Sequence, residues 1–95
     1  MKLSDKVNIA PQVMAQKVGE EAVILDLATG TYFGLDPVGA RIWQLMGEGK
    51  TLAEICDVML DEYDVLREAL ECDTVRLAQD LAAQGLIEIG DEAPT

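Results

Sequence analysis

A change of hydrophobic period near residue 36 constrains this chain more than any other feature. Upstream lie short strand-like apolar runs, the last being Thr31-Tyr32-Phe33-Gly34-Leu35. Downstream come three blocks with helical spacing, closed by Ala82-Ala83-Gln84-Gly85-Leu86-Ile87-Glu88-Ile89. One type of element cannot satisfy both periods. The reading is therefore an α+β fold: a small sheet followed by a three-helix, winged-helix-like bundle. Ninety-five residues sustain one domain with one modest core. That domain is expected over 1–90, with 91–95 a flexible tail.

Local signals place the elements. Val7-Asn8-Ile9 reads as a short extended opening, interrupted at Ala10-Pro11 because proline restricts its predecessor and lacks an amide hydrogen. Val13 to Val18 alternates weakly, Gly19-Glu20 offers a reversal, and Ala22-Val23-Ile24-Leu25 reads as a largely buried strand. Leu27 to Gly30 is a turn, and Thr31 to Leu35 completes the hairpin with β-branched and aromatic residues suited to a pleated surface. Either Tyr32 or Phe33 faces away from the core, because neighbours in a strand point to opposite sides.

Asp36-Pro37 opens the first helix with a carboxylate at the N-cap and a proline at N1. Thr51 and Glu54 form the capping box of the second, whose stripe is Leu52, Ile55, Cys56, Met59 and Leu60. The third helix is expected over 65–84, with Leu66, Leu70, Leu77 and Leu81 on its buried face and Ala78 widening it. Gly85 stops it, and Leu86 to Ile89 resumes in extended form, packing on the helices or the sheet.

The composition excludes most chemistry. There is no histidine, so neither a His-based nucleophilic triad nor a Cys/His zinc site can be assembled. Cys56 and Cys72 lie on different predicted helices without a CxxC motif, which fits reduced, partly buried thiols in a cytoplasmic protein. Asp61, Glu62 and Asp64 lack the EF-hand loop pattern and read as a solvated charge run. Gly47-Glu48-Gly49-Lys50-Thr51 lacks the full phosphate-loop spacing. No run approaches membrane-spanning length. No enzyme activity, cofactor or metal site is expected.

Charge narrows the partners. Residues 1–52 carry five Lys/Arg against six Asp/Glu, a net of −1; residues 53–95 carry two against twelve, a net of −10. A winged-helix protein acting in transcription is the alternative reading. Its third helix, however, would bring Arg67 and Arg76 to DNA beside Glu68, Glu71, Asp73 and Asp80, a repulsive surface for phosphate. Neither nucleic acid nor an anionic membrane suits this field; a basic partner surface does.

Binding another polypeptide needs only an open strand edge and a groove. Thr31, Tyr32, Phe33, Gly34 and Leu35 form the best edge for an added strand. Cys72, Val75, Arg76 and Gln79 lie off the leucine stripe and are expected to line the facing wall, with Arg76 available to a carboxylate of the peptide. Gly34 would permit close backbone approach. The chain's own N-terminal segment could cover the same edge, and a second copy of the chain could pair there, making a homodimer.

Taken together, Glu21 to Asp26, Gly30 to Leu35, Asp36-Pro37-Val38-Gly39-Ala40-Arg41-Ile42-Trp43, Thr51 to Ile55 and Gly85-Leu86-Ile87 resemble the PqqD-like family of RiPP recognition elements. The resemblance runs over roughly 7–89. It implies a three-stranded sheet with three helices that binds the leader of a ribosomally made precursor peptide as an added strand. The strand would be Thr31 to Leu35 and the flanking helix roughly Leu66 to Gln84. Such proteins are adaptors without activity of their own, presenting the precursor to modifying enzymes. Tyr32-Phe33-Gly34-Leu35 and the chain length look more like the lasso-peptide branch, which works with a leader peptidase and a cyclase, than the PQQ branch, which works with a radical SAM enzyme. Trp43 reads as a core anchor, and Arg41 as solvated or structurally paired.

Overall fold

The computed structural model describes residues 2–90; the tail expected at 91–95 lies outside them. The element order is β1 (Lys6–Ile9), β2 (Val13–Val18), β3 (Glu21–Asp26), β4 (Tyr32–Leu35), α1 (Pro37–Gly47), α2 (Leu52–Glu62), α3 (Arg67–Ala83) and β5 (Ile87–Gly90). The expected three-stranded antiparallel sheet is β2-β3-β4, followed by three helices. A second, two-stranded sheet joins β1 to β5, pairing Lys6 with Gly90 and Ile9 with Ile87. The two extended ends foreseen separately are therefore partners of each other.

Alternation along the three-stranded sheet sorts its faces. Ala22 and Ile24 of β3 and Leu35 of β4 join the core shared with the helices, with Phe33 half-buried beside them, and Asp26 is buried at the end of β3. The register pairs Leu25 with Tyr32 and with Met14 on the opposite face, where Tyr32 is 74% exposed. Phe33 is thus the aromatic that faces the core.

The β3–β4 turn is organised by Asp26. Its carboxylate Oδ1 accepts from the amides of Ala28 at 2.9 Å and Thr29 at 3.4 Å. Its own amide donates to the Thr31 carbonyl at 2.9 Å, so Thr31 belongs to the turn and the strand begins at Tyr32. Gly30 closes this turn at φ +75°, a conformation that costs a side-chain-bearing residue.

The helices are bounded as expected at most ends. Asp36 Oδ1 accepts from the Gly39 amide at 2.7 Å, and Pro37 stands at N1. Thr51 and Glu54 form the reciprocal capping box. The remaining first-turn donors of α2, Leu52 and Ala53, donate to the carbonyls of Asp5 and Leu3, pinning the chain's start to that helix. At the end of α3, Leu86 N–H donates to Leu81 O and Gly85 N–H to Ala82 O, with Gly85 at φ +74°. This is the Schellman arrangement.

The buried stripe of α3 differs from the leucine stripe. Leu70, Thr74, Ala78 and Leu81 are its buried residues, Leu77 is half-buried, and Leu66 stands outside the helix at the N-cap, 77% exposed. Thr74 is accommodated because its hydroxyl meets the buried Cys56 thiol, with Sγ 3.7 Å from Oγ1. Burial pushes the Cys56 thiol up from its ordinary value, outweighing the Thr74 contact that lowers it. Cys72, expected to be partly buried, is exposed; both cysteines are free. Trp43 sits in the core with Ile42, Leu45 and Met46. Arg41 pairs with Glu62 through two hydrogen bonds of 2.8 and 2.6 Å, tying α1 to the end of α2.

Two measurements check this packing. Leu70→Ala should lower the unfolding free energy by about 2–5 kcal/mol, whereas Leu66→Ala should change it by less than about 0.5 kcal/mol, both read by chemical denaturation. A thiol reagent should modify Cys72 in the native protein and Cys56 only after unfolding. Because the folded-state pKa of Cys56 is raised, its thiol favours folding below the unfolded pKa, and that contribution is lost as pH rises through the folded one.

Candidate functional site: an open strand edge and its groove

β4 pairs with β3 alone, so its other side is an unpaired edge among the described residues. The N-terminal segment does not cover it, since β1 is engaged with β5. Which main-chain groups this edge offers follows from the ladder. Asp26 N–H bonds to Thr31 O, and the register runs onward through Leu25↔Tyr32, Ile24↔Phe33 and Val23↔Gly34. Antiparallel pairs alternate between bonded and non-bonded positions. Phe33 and Leu35 therefore direct their main-chain groups at β3, while Tyr32 and Gly34 direct theirs outward.

A groove of about 460 Å³ runs beside this edge. Phe33, Gly34 and Leu35 form its strand wall, Val38 and Ile42 of α1 its floor, and Asp73 and Leu77 of α3 its far wall. α3 packs on α2 and β5, which leaves it standing off from β4 across this space. A β-carbon on Gly34 would meet nothing within 4 Å. The edge is thus open to an approaching backbone.

The nine residues singled out in the sequence are divided by the structure. Phe33, Gly34 and Leu35 line the β4 groove, Tyr32 extends the same edge, and Thr31 lies at its turn end. Cys72, Val75, Arg76 and Gln79 do come together, but with Leu3 and Glu71 in a separate groove of about 390 Å³. The cause is the rotational setting of α3. With Leu70, Thr74, Ala78 and Leu81 buried, the flank turned toward β4 holds Asp73 and Leu77 rather than Val75 and Gln79. The buried Thr74 is the residue a leucine-based reading passes over.

A third cleft, about 480 Å³, lies at the opposite side of the sheet between β2 and α1. Ala15, Lys17 and Ala22 meet Ala40, Trp43 and Gln44 there. β2 is the sheet's other unpaired edge among the described residues. Leu27 N–H bonds to Gln12 O, so the same alternation turns the main-chain groups of Ala15 and Lys17 outward. No local sequence signal marks this cleft, because its lining is drawn from β1, β2, β3, α1 and Tyr63 beyond α2. Among the described residues, no three or more His, Cys, Asp or Glu side chains are grouped to hold a metal ion. No helix among them is long and apolar enough to cross a membrane.

No curated protein matches the chain. Two solved structures do. The structure described as TbiB1 in complex with the TbiA(beta) leader peptide is 44% identical with a TM-score of 0.81; the match covers 85% of this chain and 94% of that one. Lasso peptide synthetase B1 complexed with the leader peptide is 25% identical with a TM-score of 0.80, covering 87% of this chain and 98% of that one. The family described as Coenzyme PQQ synthesis protein D (PqqD) matches residues 21–87, which include the β3–β4 hairpin, all three helices and the first residue of β5. By that match and by its likeness to the first of these structures, the chain belongs to the PqqD-like family.

Proposed function

We propose that this protein is a non-catalytic adaptor of lasso-peptide biosynthesis. It binds the leader of a ribosomally made precursor as an added strand along β4 and presents the precursor to a leader peptidase and a cyclase. The observation that carries this reading is the 44%-identical structure, described as a complex with a leader peptide. The 25%-identical one, described as a lasso peptide synthetase B1 with its leader, supports the branch. The open β4 edge and its groove support the location. Main-chain bonds to Tyr32 and Gly34 hold the leader, and the groove selects its side chains. No cofactor takes part, and the setting is the cytoplasm. Holding the precursor raises its effective concentration at the enzyme. A radical SAM enzyme of the PQQ type would be the partner in the family's other branch.

The test is a titration of isotopically labelled protein with two synthetic probes: the leader of the precursor encoded beside this chain's gene, and the TbiA(beta) leader. Amide shifts should concentrate at Tyr32 to Leu35 and around Asp73 and Leu77. Shifts centred on Ala15 and Lys17 would move the site to the β2–α1 cleft and overturn the β4 assignment. Duplex-DNA binding with steep salt dependence, and no response to either leader, would restore the transcriptional alternative.

Gly34→Pro should abolish leader binding by removing an outward donor, with circular dichroism checking the fold. Gly34→Ala, for which the free protein has room, should leave the fold unchanged. Full-strength leader binding by the proline variant would remove β4 from the site.

A further inference from the structure

We infer that the leader segment received by the β4–α3 groove carries a lysine or arginine whose charge meets Asp73. This rests on the leader-binding reading above and adds to it the chemistry of the segment selected.

Two carboxylates line the groove, Asp36 and Asp73. Asp36 is committed as the cap of α1, holding the Gly39 amide at 2.7 Å. Asp73 is exposed and makes no salt bridge among the described residues. The cations on its own helix are spoken for or turned aside. Arg67 is held by Asp57 at 2.8 Å and Glu71 at 2.7 Å, and Arg76 lines the other groove beside Leu3.

Around Asp73 the walls are apolar: Leu77 one turn along α3, Phe33 across the gap, Ile42 beneath. A long cationic side chain fits that combination, laying its methylene stem on the apolar wall while its head reaches the carboxylate. Asp80, exposed on the next turns of the same helix, adds to the field. The net of −10 over residues 53–95 penalises an acidic segment and draws in a basic one. The expected occupant is thus an extended segment that places an apolar side chain against Phe33 and Leu77 and a cation against Asp73.

The experiment measures dissociation constants of the same two leader probes for wild type, Asp73→Asn and Asp73→Lys, with every Lys and Arg of the leader replaced by Ala in turn. Asp73→Asn should weaken binding about five- to tenfold, and Asp73→Lys further. One leader cation should lose a like factor on wild type and almost nothing on Asp73→Asn, the signature of direct coupling. Thermal unfolding of both variants should match wild type, since Asp73 is exposed. If a leader shifts the Tyr32–Leu35 amides yet binds all three proteins equally, the Asp73 assignment fails while the leader-binding reading stands. If neither leader shifts those amides, the site at β4 fails and Asp73 with it.

Discussion

The hydrogen bond from the Gly39 amide to Asp36 Oδ1, 2.7 Å long, is the constraint on which the groove depends. One residue separates the last residue of β4 from the first of α1, so the junction has no slack. Leu35 drives its side chain into the core, and Asp36 caps the helix. Gly39 suits this junction, since a β-carbon there would lie 3.2 Å from Asp36 Oδ1 and 3.4 Å from Leu35 Cδ2 and would press on the cap. Strand and helix are therefore one rigid unit. A slip of β4 by one residue would expose Leu35 and bury Tyr32, uncoupling the cap as well. That coupling fixes Tyr32 and Gly34 as the residues with outward main-chain groups.

Open edges invite unwanted pairing, and among the described residues this sheet has two. β4 limits the hazard by being four residues long. The chain's ends, which could have covered either edge, instead close on each other as β1 and β5, more than eighty positions apart at Lys6 and Gly90. Charge supplies the remaining discrimination. Two copies of a chain with net charge −11 repel at the distances of encounter, within a screening length of about 8 Å. A basic segment approaching α3 is attracted by the same field. One charge distribution thus opposes self-pairing and favours the proposed guest.

What could be read from the residues alone follows the range of the interactions. Asp36-Pro37, the Thr51/Glu54 box and Gly85 act over three to five residues, and each appears where its chemistry placed it. The β1–β5 pairing joins opposite ends of the chain, and no local pattern encodes it. The choice between Tyr32 and Phe33 needed the register with β3, because both are large aromatics in a period-two strand. Which residues of α3 stand opposite β4 depends on which flank of the helix turns that way. Thr74 is buried against Cys56, and the flanks on either side of that buried stripe carry Asp73 and Leu77 on one side and Val75 and Gln79 on the other. Helical periodicity separates these flanks but does not say which of them meets β4, because that is set by the packing of α3 on α2 and β5.

Magnitudes decide where selectivity resides. Tyr32 and Gly34 offer two amides and two carbonyls outward, hence at most four main-chain bonds to an added strand. At about 1 kcal/mol net for each, these give about 4 kcal/mol, equivalent to millimolar binding. Ordering each residue of a flexible leader costs about 1–2 kcal/mol, so strand pairing roughly cancels the entropy of the segment it fixes. Burying one Leu-sized side chain in the groove adds about 1.5–3 kcal/mol, and a charge met at Asp73 adds to that. In the proposed complex the main chain of β4 sets the guest's direction and register, while the α3 wall determines which guest stays. On that proposal a substitution at Asp73 or Leu77 changes which leaders are held, whereas one at Gly34 changes whether any are.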